Sequence, residues 1–372
     1  FIQMDGSKKR FEGYATDITT DKAIAWLDRR DKSKPFFLMC QHKAPHRTFS
    51  PALRHLGDFS DVEIPEPATL FDDYANRSKT LGQNEMEIDR HFSWAYDLKL
   101  RKDDRPGVEL VPDNYGTPEY NRMSDEQKEA WDAHFSPLNQ SFIEKYKAGS
   151  VSKKDVVRWK YQRYMKNYLG TVKAVDESVG RMLKYLEDNN LSDNTIVIYS
   201  SDQGFYLGEH GWYDKRWMFE ESFEMPFLIR WPGRVKPGSR PKDLIQNIDY
   251  APTFLAAAGL EIPEEIQGES LLPLFAGNND EWRQSLYYAY YEDTGPHNVP
   301  QHFGVRTATQ KLFYLPTTDE WQMFDLVKDP DEMVSVHDKP EYAEDRKKLT
   351  AEYHRLRKLY EAPSYEEHAT KR

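Results

Sequence analysis

The sequence predicts an α/β fold in which helices cover a sheet, followed by a smaller C-terminal α+β subdomain. Two apolar runs, at residues 35–40 and 195–200, are typical of buried strands, and each follows a segment with helical spacing. From about residue 282, short strand-like segments alternate with loops before a final amphipathic helix. We therefore expect two domains, 1–275 and 276–372.

The elements of the first domain can be assigned in order. Apolar residues at helical spacing predict a helix from Asp17 to Arg29 and another from Lys154 to Asn189, each leading into one of the two strands. Residues 75–139 are irregular and are expected to form an insertion over the sheet. A further strand is predicted at Phe227–Arg230. A short helix is predicted over 249–259, with Asp249 as its cap.

The C-terminal subdomain is expected to contain an antiparallel sheet. Strands are predicted at 286–291, 304–307 and 311–315, and a long amphipathic helix at about 342–360. Strands followed by a helix in this order are typical of an α+β unit.

Composition excludes several classes of protein. The 372 residues include 62 acidic and 51 basic ones, a formal charge of -11, which argues against a nucleic-acid partner. No apolar run approaches the roughly 18 residues that indicate a membrane span. The only cysteine, Cys40, cannot form an internal disulfide.

An acid and an amide follow the second apolar strand directly. Ligands gather beyond the carboxyl ends of strands in open α/β sheets, which is where Asp202 and Gln203 are expected. Carboxylate and amide oxygens suit a hard cation such as Ca²⁺ or Mg²⁺. The alternative is that Asp202 only stabilises a turn.

A longer motif surrounds this pair. Residues 201–233, SDQGFYLGEHGWYDKRWMFEESFEMPFLIRWPG, resemble the sulfatase family of the alkaline phosphatase superfamily. There, Ser-Asp-x-Gly, Gly-Glu-His-Gly, a Lys and Glu-Glu-Ser before a Pro recur in this order. The resemblance implies an alkaline phosphatase-like mixed sheet sandwiched by helices. It also implies that Asp202 and Gln203 bind Ca²⁺ and that Lys215 contacts the sulfate ester. Gln203 stands where relatives often carry Asn or His, and its amide oxygen preserves the ligand chemistry.

Two histidines follow the first apolar strand, which ends in Gln41–Arg47. Sulfatases have a similar Phe-Phe-Leu strand that ends in a histidine-containing turn. This resemblance implies that His46 is catalytic, assisting the leaving alcohol, and makes His42 a candidate for facing the substrate. The alternative is that both are structural loop histidines.

The C-terminal segment 290–307 contains Gly-Pro-His and His-Phe-Gly-Val-Arg-Thr. It resembles bacterial sulfatases similar to N-acetylglucosamine-6-sulfatases, whose C-terminal subdomain reaches over the active site. The resemblance makes His297 and His302 candidates for binding the sugar or the sulfate. A histidine in a Gly-Pro turn can instead serve the turn alone.

One feature of sulfatases is missing from the sequence. The family uses a formylglycine made from a Cys/Ser-x-Pro/Ala-x-Arg motif, and Cys40 is followed by Gln41-His42-Lys43-Ala44 instead. The early Asp-Asp pair and the Gly-Lys-x-His segment are absent too. We expect the chain to be the C-terminal two-thirds of a sulfatase, with the nucleophile upstream, and to be inactive alone.

These observations predict a sulfatase acting on sulfated carbohydrate, with 6-O-sulfated N-acetylglucosamine or a related glycosaminoglycan or mucin sugar as substrate. The family implies Ca²⁺, or Mg²⁺ in its place, and a periplasmic or secreted location. Two alternatives stay open at this point. One is a phosphodiesterase or phosphonate hydrolase of the same superfamily, and the other is a non-catalytic relative that binds sulfated glycans.

Overall fold

The computed structural model describes residues 2–4, 6–292, 295 and 297–363. Of the segment 290–307, residues 293, 294 and 296 therefore lie outside the described residues. The chain divides into two compact units, formed by Phe1–Glu66 with Glu87–Thr195, and by Pro67–Met86 with Ile196–Arg372. The predicted domain boundary at residue 275 lies within the second unit. The division into 1–275 and 276–372 therefore stays a sequence-based prediction.

The first unit is mainly helical. Its elements are β1 (Ile2–Met4), β2 (Ser7–Lys9), α1 (Ala15–Arg29), α2 (Ile88–His91), α3 (Pro118–Asn121), α4 (Asp125–Lys147) and α5 (Lys153–Asp188). Helix α5 begins at a capping box in which Ser152 and Asp155 each bond the other's backbone N–H. It packs against α1 and α2. The two predicted helices before the apolar strands are thus confirmed.

The predicted strand at residues 35–40 is wrong. The structure assigns this segment no strand, and Phe37 and Met39 are 63% and 60% exposed. The physical reason is that a strand needs a hydrogen-bonded neighbour, and the described residues give this segment no ladder partner. Apolar sequence alone could not reveal that.

The second unit holds most of the β-structure. Its elements are β3 (Val197–Ser200), β4 (Tyr206–Leu207), β5 (Tyr213–Asp214), α6 (Glu220–Phe223), β6 (Phe227–Arg230), α7 (Tyr250–Ala257), α8 (Leu272–Phe275), β7 (Ser285–Tyr290), β8 (His302–Thr307), β9 (Gln310–Leu315), β10 (Glu320–Asp325) and α9 (Ala343–Leu359). Strands β7 to β10 form an antiparallel sheet in the order β10-β9-β8-β7. Helix α9 contacts β7, β8 and β9. The predicted C-terminal sheet and helix are confirmed, and β10 is an additional strand.

Strand β3 is less buried than its sequence predicts. It pairs antiparallel with β6, and Tyr199 on β3 is 41% exposed while Leu228 on β6 is 60% exposed. The apolar sequence of β3 therefore does not predict how deeply the strand is buried, because burial depends on what packs against each face of the ladder.

An aromatic core lies between the loop after β3 and the C-terminal sheet. Trp212, Trp217 and Phe219 are fully buried there and pack with Phe313 and Phe324 of β9 and β10. Such large apolar groups fix the loop that carries Lys215, because dense packing leaves few alternative arrangements.

Asp249 was predicted to cap α7, but its carboxylate caps the 3-10 turn at residues 247–249, directly before that helix. Its side chain makes no cap hydrogen bond to that helix; its carboxylate pairs with Arg283 at 2.7 Å and accepts from the backbone N–H of Gln246. A fully buried carboxylate needs such a partner, and the guanidinium of Arg283 supplies it.

None of the helices within the described residues combines the length and the apolar character that a membrane crossing requires.

Candidate functional site

The loop after β3 carries Asp202 at the surface. The Asp202 backbone carbonyl accepts from the Asn247 side chain at 3.3 Å, and the Ser201 hydroxyl lies 3.4 Å from the Asp202 carboxylate. At the end of β3, the Ser200 hydroxyl lies 2.6 Å from the phenol oxygen of Tyr250 on α7. The exposed carboxylate of Asp202 is thus available to a ligand, and its backbone is held by α7 and the turn before it.

Gly204 is required by close packing. Its N–H donates to the Ser222 carbonyl at 2.9 Å, and a Cβ at this position would collide with the carbonyl oxygens of Glu221 and Glu224. The glycine therefore lets the loop lie directly against α6. This contact sets the position of Asp202 and Gln203, the two residues before it.

The side chains at this loop are of the types that bind a hard cation. Asp202 offers a carboxylate and Gln203 an amide oxygen, which are ligands that Ca²⁺ prefers. In the part of the chain that the structure describes, no group of three or more His, Cys, Asp or Glu side chains is arranged to hold a metal ion. Asp202 and Gln203 could therefore supply only part of the six to eight ligands of Ca²⁺.

Lys215 lies beside a buried carboxylate. The ammonium nitrogen of Lys215 is 3.4 Å from Asp214 Oδ1, and His297 Nε2 is 2.9 Å from Asp214 Oδ2. Burial opposes ionisation of Asp214, but the hydrogen bond from His297 and the nearby charges of Lys215 and Arg216 outweigh it. Together they hold the Asp214 pKa well below its usual range. Asp214 is therefore a carboxylate at neutral pH and fixes the position of the Lys215 ammonium group.

His297 is held on both sides. Its Nδ1 is 3.0 Å from the Glu85 carbonyl and its Nε2 faces Asp214, so both ring nitrogens face acceptors. The ring is buried, with 8% of its surface exposed. This placement assigns His297 to the support of Asp214 and Lys215, and leaves no ring nitrogen for the predicted contact with substrate.

The backbone around Lys215 is strained. Asp214, Arg216 and Trp217 all have positive φ, at 73°, 106° and 60°. Each such conformation costs about 1–3 kcal/mol for a non-glycine residue and persists only where the surrounding packing enforces it. Arg216 also bonds the Tyr290 hydroxyl at 3.2 Å and lies 3.6 Å from Glu292. Strain of this kind is typical of functional sites.

His302 was predicted to bind substrate, and its placement contradicts a direct contact. The ring is fully buried and stacks on Trp217 at 5.1 Å and on Tyr290 at 5.0 Å. Desolvation lowers its pKa to about 4, although the bond to the Pro300 carbonyl opposes this. The neutral ring is part of the aromatic core, because β8 turns this side chain inward.

The histidine of the Gly-Glu-His-Gly motif lies between two carboxylates. His210 has φ 54° and its Nδ1 lies 3.1 Å from Asp72, while its Nε2 lies 3.6 Å from Glu221. Burial disfavours the charge, but the contacts with Asp72 and Glu221 outweigh it and raise the His210 pKa to about 9. His210 therefore holds this loop from within.

The two other histidines lie in the first unit. His46 is exposed in a turn, and its Nδ1 lies 3.0 Å from the Arg47 carbonyl. His42 is half-buried, its Nε2 is 3.8 Å from Cys40 Sγ, and burial lowers its pKa. Their roles stay predictions, since the contacts around them do not identify a substrate.

Cys40 does not fit a formylglycine position. It is a half-buried thiol whose pKa is raised by burial, and the residues after it lack the modification motif.

Sequence reasoning missed Asp214 and Arg216, which the structure brings together with Lys215. The signal was available in part, because an acid directly before a lysine is a natural partner for its charge. The contact of Asp214 with His297 could not be predicted from the sequence, because 82 residues lie between them.

Comparison with known families identifies the family of the chain. The family model described as Sulfatase matches residues 2–260, and the model described as N-sulphoglucosamine sulphohydrolase, C-terminal, matches residues 208–359. The first model covers well over half of the chain and includes the Asp202 and Lys215 loops.

Curated relatives point to the same family. An N-acetylglucosamine-6-O-sulfatase of Bacteroides thetaiotaomicron is 44% identical over 96% of this chain, and an arylsulfatase of Clostridium perfringens is 28% identical over 89%. The chain spans 63% and 55% of the lengths of these two relatives.

Solved structures confirm the fold class. The structure of BT4656 in complex with its substrate D-glucosamine-2-N,6-O-disulfate matches with a TM-score of 0.91 at 44% identity, over 98% of this chain and 73% of that one. BT1596, a 2-O glycosaminoglycan sulfatase, matches with a TM-score of 0.63 at 18% identity, over 96% of this chain and 69% of that one, and supports the fold alone. The chain belongs to the sulfatase family, with its alkaline phosphatase-like α/β fold.

Proposed function

We propose that the protein acts as a sulfatase that hydrolyses the 6-O-sulfate ester of N-acetylglucosamine or a related amino sugar in a sulfated glycan. The observation that carries the proposal is the ordered pair of Asp214 and Lys215 within the sulfatase motif. The relative named as an N-acetylglucosamine-6-O-sulfatase and the substrate bound in BT4656 support the choice of sugar and position.

Lys215 would bind the sulfate group. Its side chain is 20% exposed and lies against Asp214, so the ammonium group is held in place before a ligand arrives. A fixed cation stabilises the charge of a sulfate ester without the cost of ordering a flexible side chain at the moment of reaction. Asp214 and His297 would act through Lys215 and would not touch the substrate.

Asp202 and Gln203 would supply two of the ligands of Ca²⁺, with Mg²⁺ as the less favoured ion. When bound, this ion supplies positive charge that polarises the sulfate oxygens. The close packing of Gly204 on α6 gives these two residues a fixed backbone.

His46 would assist the leaving alcohol. An imidazole titrates near neutral pH and can donate a proton to the sugar oxygen as the ester bond breaks. Its exposed position in the turn after residue 40 leaves the ring accessible to a sugar. His42 would lie on the substrate side of the same turn.

Export to the periplasm or the cell exterior is part of the proposal. It rests on the family alone.

A panel of esters tests the proposed function. The complete protein is assayed with N-acetylglucosamine-6-sulfate, with the 3-sulfate isomer and with the matching 6-phosphate. We expect release of sulfate from the 6-sulfate at a kcat/KM well above that for either comparison compound. Faster cleavage of the phosphate would indicate the phosphodiesterase or phosphonate hydrolase alternative, and binding of sulfated sugar without turnover would indicate a non-catalytic relative.

A further inference from the structure

Helix α9 has two faces with different partners. Leu349, Tyr353 and Leu356 pack against the antiparallel sheet. Another stripe, at spacings of three and four residues, lines an open groove of about 550 Å³. Its lining includes Trp321, His337, Arg346, Lys347 and His354.

An indole ring forms one wall of this groove. Trp321 lies on β10 opposite Tyr314, with ring centroids 4.8 Å apart, and Tyr353 meets it edge-on at 5.6 Å. His337 lies nearly parallel to it, with an interplanar angle of 7°. The Trp321 ring is therefore fixed in orientation while part of it remains exposed.

The groove carries positive charge on an acidic protein. Arg346 and Lys347 line it together with two histidines, and no carboxylate occurs among the lining residues that the structure describes. The acids of α9 lie outside this lining: Asp345 pairs with Lys348 at 3.8 Å, Glu352 pairs with Arg355 at 2.7 Å, and Glu344 is exposed. A cationic strip on a chain of formal charge -11 is a local exception that favours an anionic ligand.

The side of the groove opposite β10 is also held in place. Arg346 donates to the His337 carbonyl, which ties the loop before α9 to the helix. His337 itself lies 2.8 Å from Asp338. Lys347 takes part in neither salt bridge of α9 named above and is exposed, so its ammonium group faces solvent at the groove.

We propose that this groove is a second binding site, for a sulfated oligosaccharide. Aromatic rings stack against the apolar faces of sugar rings, and Lys and Arg side chains form charge-assisted bonds with sulfate oxygens. The groove combines both features and shares no residue with the candidate sulfate-ester site. The choice of a sulfated glycan as ligand rests on the proposed function. The site itself rests on Trp321, Arg346 and Lys347.

Such a site would bind a part of the sulfated glycan that lies away from the ester being hydrolysed. A second contact on the same chain raises the local concentration of the substrate at the site of reaction. The effect applies only to ligands long enough to reach both sites.

A charge-reversal pair tests the site by binding alone. Calorimetry with a heparin-derived oligosaccharide compares Lys347→Glu with Lys348→Glu, which makes the same change in net charge on the next residue. We expect Lys347→Glu to weaken binding about fivefold and Lys348→Glu to change it by less than about twofold. Trp321→Ala is expected to weaken binding as well. If Trp321→Ala does not fold, the comparison of Lys347→Glu with Lys348→Glu still tests the site. Both lysine variants are also measured in a Lys215→Ala background. There we expect the same ratio between the dissociation constants of Lys347→Glu and Lys348→Glu.

Three results would overturn the proposal. These are equal losses in the two lysine variants, absence of binding by the wild-type chain, and binding of a single-stranded oligonucleotide of equal charge as tightly as the oligosaccharide. In the complete protein, Lys347→Glu should reduce turnover of the polymer and leave turnover of a monosaccharide sulfate unchanged. Loss of all sulfate release would instead concern the proposed function, since the calorimetric ratio does not depend on hydrolysis.

Discussion

His297 Nε2 lies 2.9 Å from the carboxylate of Asp214, the residue directly before Lys215. The contact joins two motifs that are far apart in the sequence, the Asp-Lys-Arg segment and the Gly-Pro-His turn. It explains how a short loop with three residues of positive φ keeps one geometry. Lys215 is therefore held by a buried carboxylate that is itself held by a histidine.

Asp214→Asn removes the charge that positions Lys215. We expect kcat/KM of the complete protein for the sulfate ester to fall about 10- to 100-fold, as for other residues that orient a binding group. Asp214→Glu should recover part of the loss because it restores the charge. Asp280→Asn, at an exposed carboxylate, serves as the control, and equal activity of Asp214→Asn and wild type would contradict the role.

Asp202→Ala tests the cation site. Ca²⁺ stabilises a protein that binds it in the folded state, so the wild-type melting temperature should rise with Ca²⁺ concentration. In Asp202→Ala this rise should be much smaller, and activity should fall. Asp193→Ala, in the turn before β3, is the matched control. An unchanged response to Ca²⁺ in Asp202→Ala would remove Asp202 from the ligand set.

Gly204→Ala should destabilise the second unit. The added Cβ meets the carbonyl oxygens of Glu221 and Glu224, so the free energy of unfolding should fall by about 1–3 kcal/mol, as in overpacked sites. Gly180→Ala is the control: this helical glycine has open space around it, and alanine there should stabilise α5 by about 0.5–1 kcal/mol. Urea unfolding measures both, and equal stability of Gly204→Ala and wild type would exclude the close contact.

His302 should make the free energy of unfolding depend on pH. Its folded-state pKa of about 4 lies below the ordinary value of 6.5, because burial favours the neutral ring. The neutral ring's contribution is fully present above about pH 6.5 and is lost as the pH falls toward 4. Urea unfolding between these pH values should show a smaller slope for His302→Gln than for wild type. His354→Gln, an exposed histidine, should keep the wild-type slope, and identical slopes for all three proteins would contradict the assignment.

The helices and the C-terminal sheet could be predicted because their signals are local. Spacing of apolar residues located α1, α5 and α9 to within a residue or two. The strand predicted at residues 35–40 failed because pairing is not a local property, and β10 was overlooked because half of its six residues are polar or charged. Its Gln322 and Asp325 are buried despite being polar.

Candidate site residues could be chosen where residue type decides the chemistry. Asp202, Gln203 and Lys215 were singled out by motif; the structure places Asp202 at the surface and Lys215 beside Asp214, and the roles of all three stay predictions. His297 and His302 were chosen by the same motif logic, yet one supports Asp214 and the other packs in the aromatic core. The direction in which a histidine points depends on the register of β8 and the turn before it, which sequence spacing does not determine.

The role proposed for Lys215 is to bind the sulfate group of a 6-O-sulfated amino sugar. It is tested most directly by sulfate release from N-acetylglucosamine-6-sulfate by the complete protein, with Lys215→Ala and the exposed Lys236→Ala compared at equal folding. We expect Lys215→Ala to reduce kcat/KM by about 100-fold or more, the loss typical of removing one charge-stabilising group, and Lys236→Ala to match wild type. Wild-type kcat/KM in Lys215→Ala would contradict the claim.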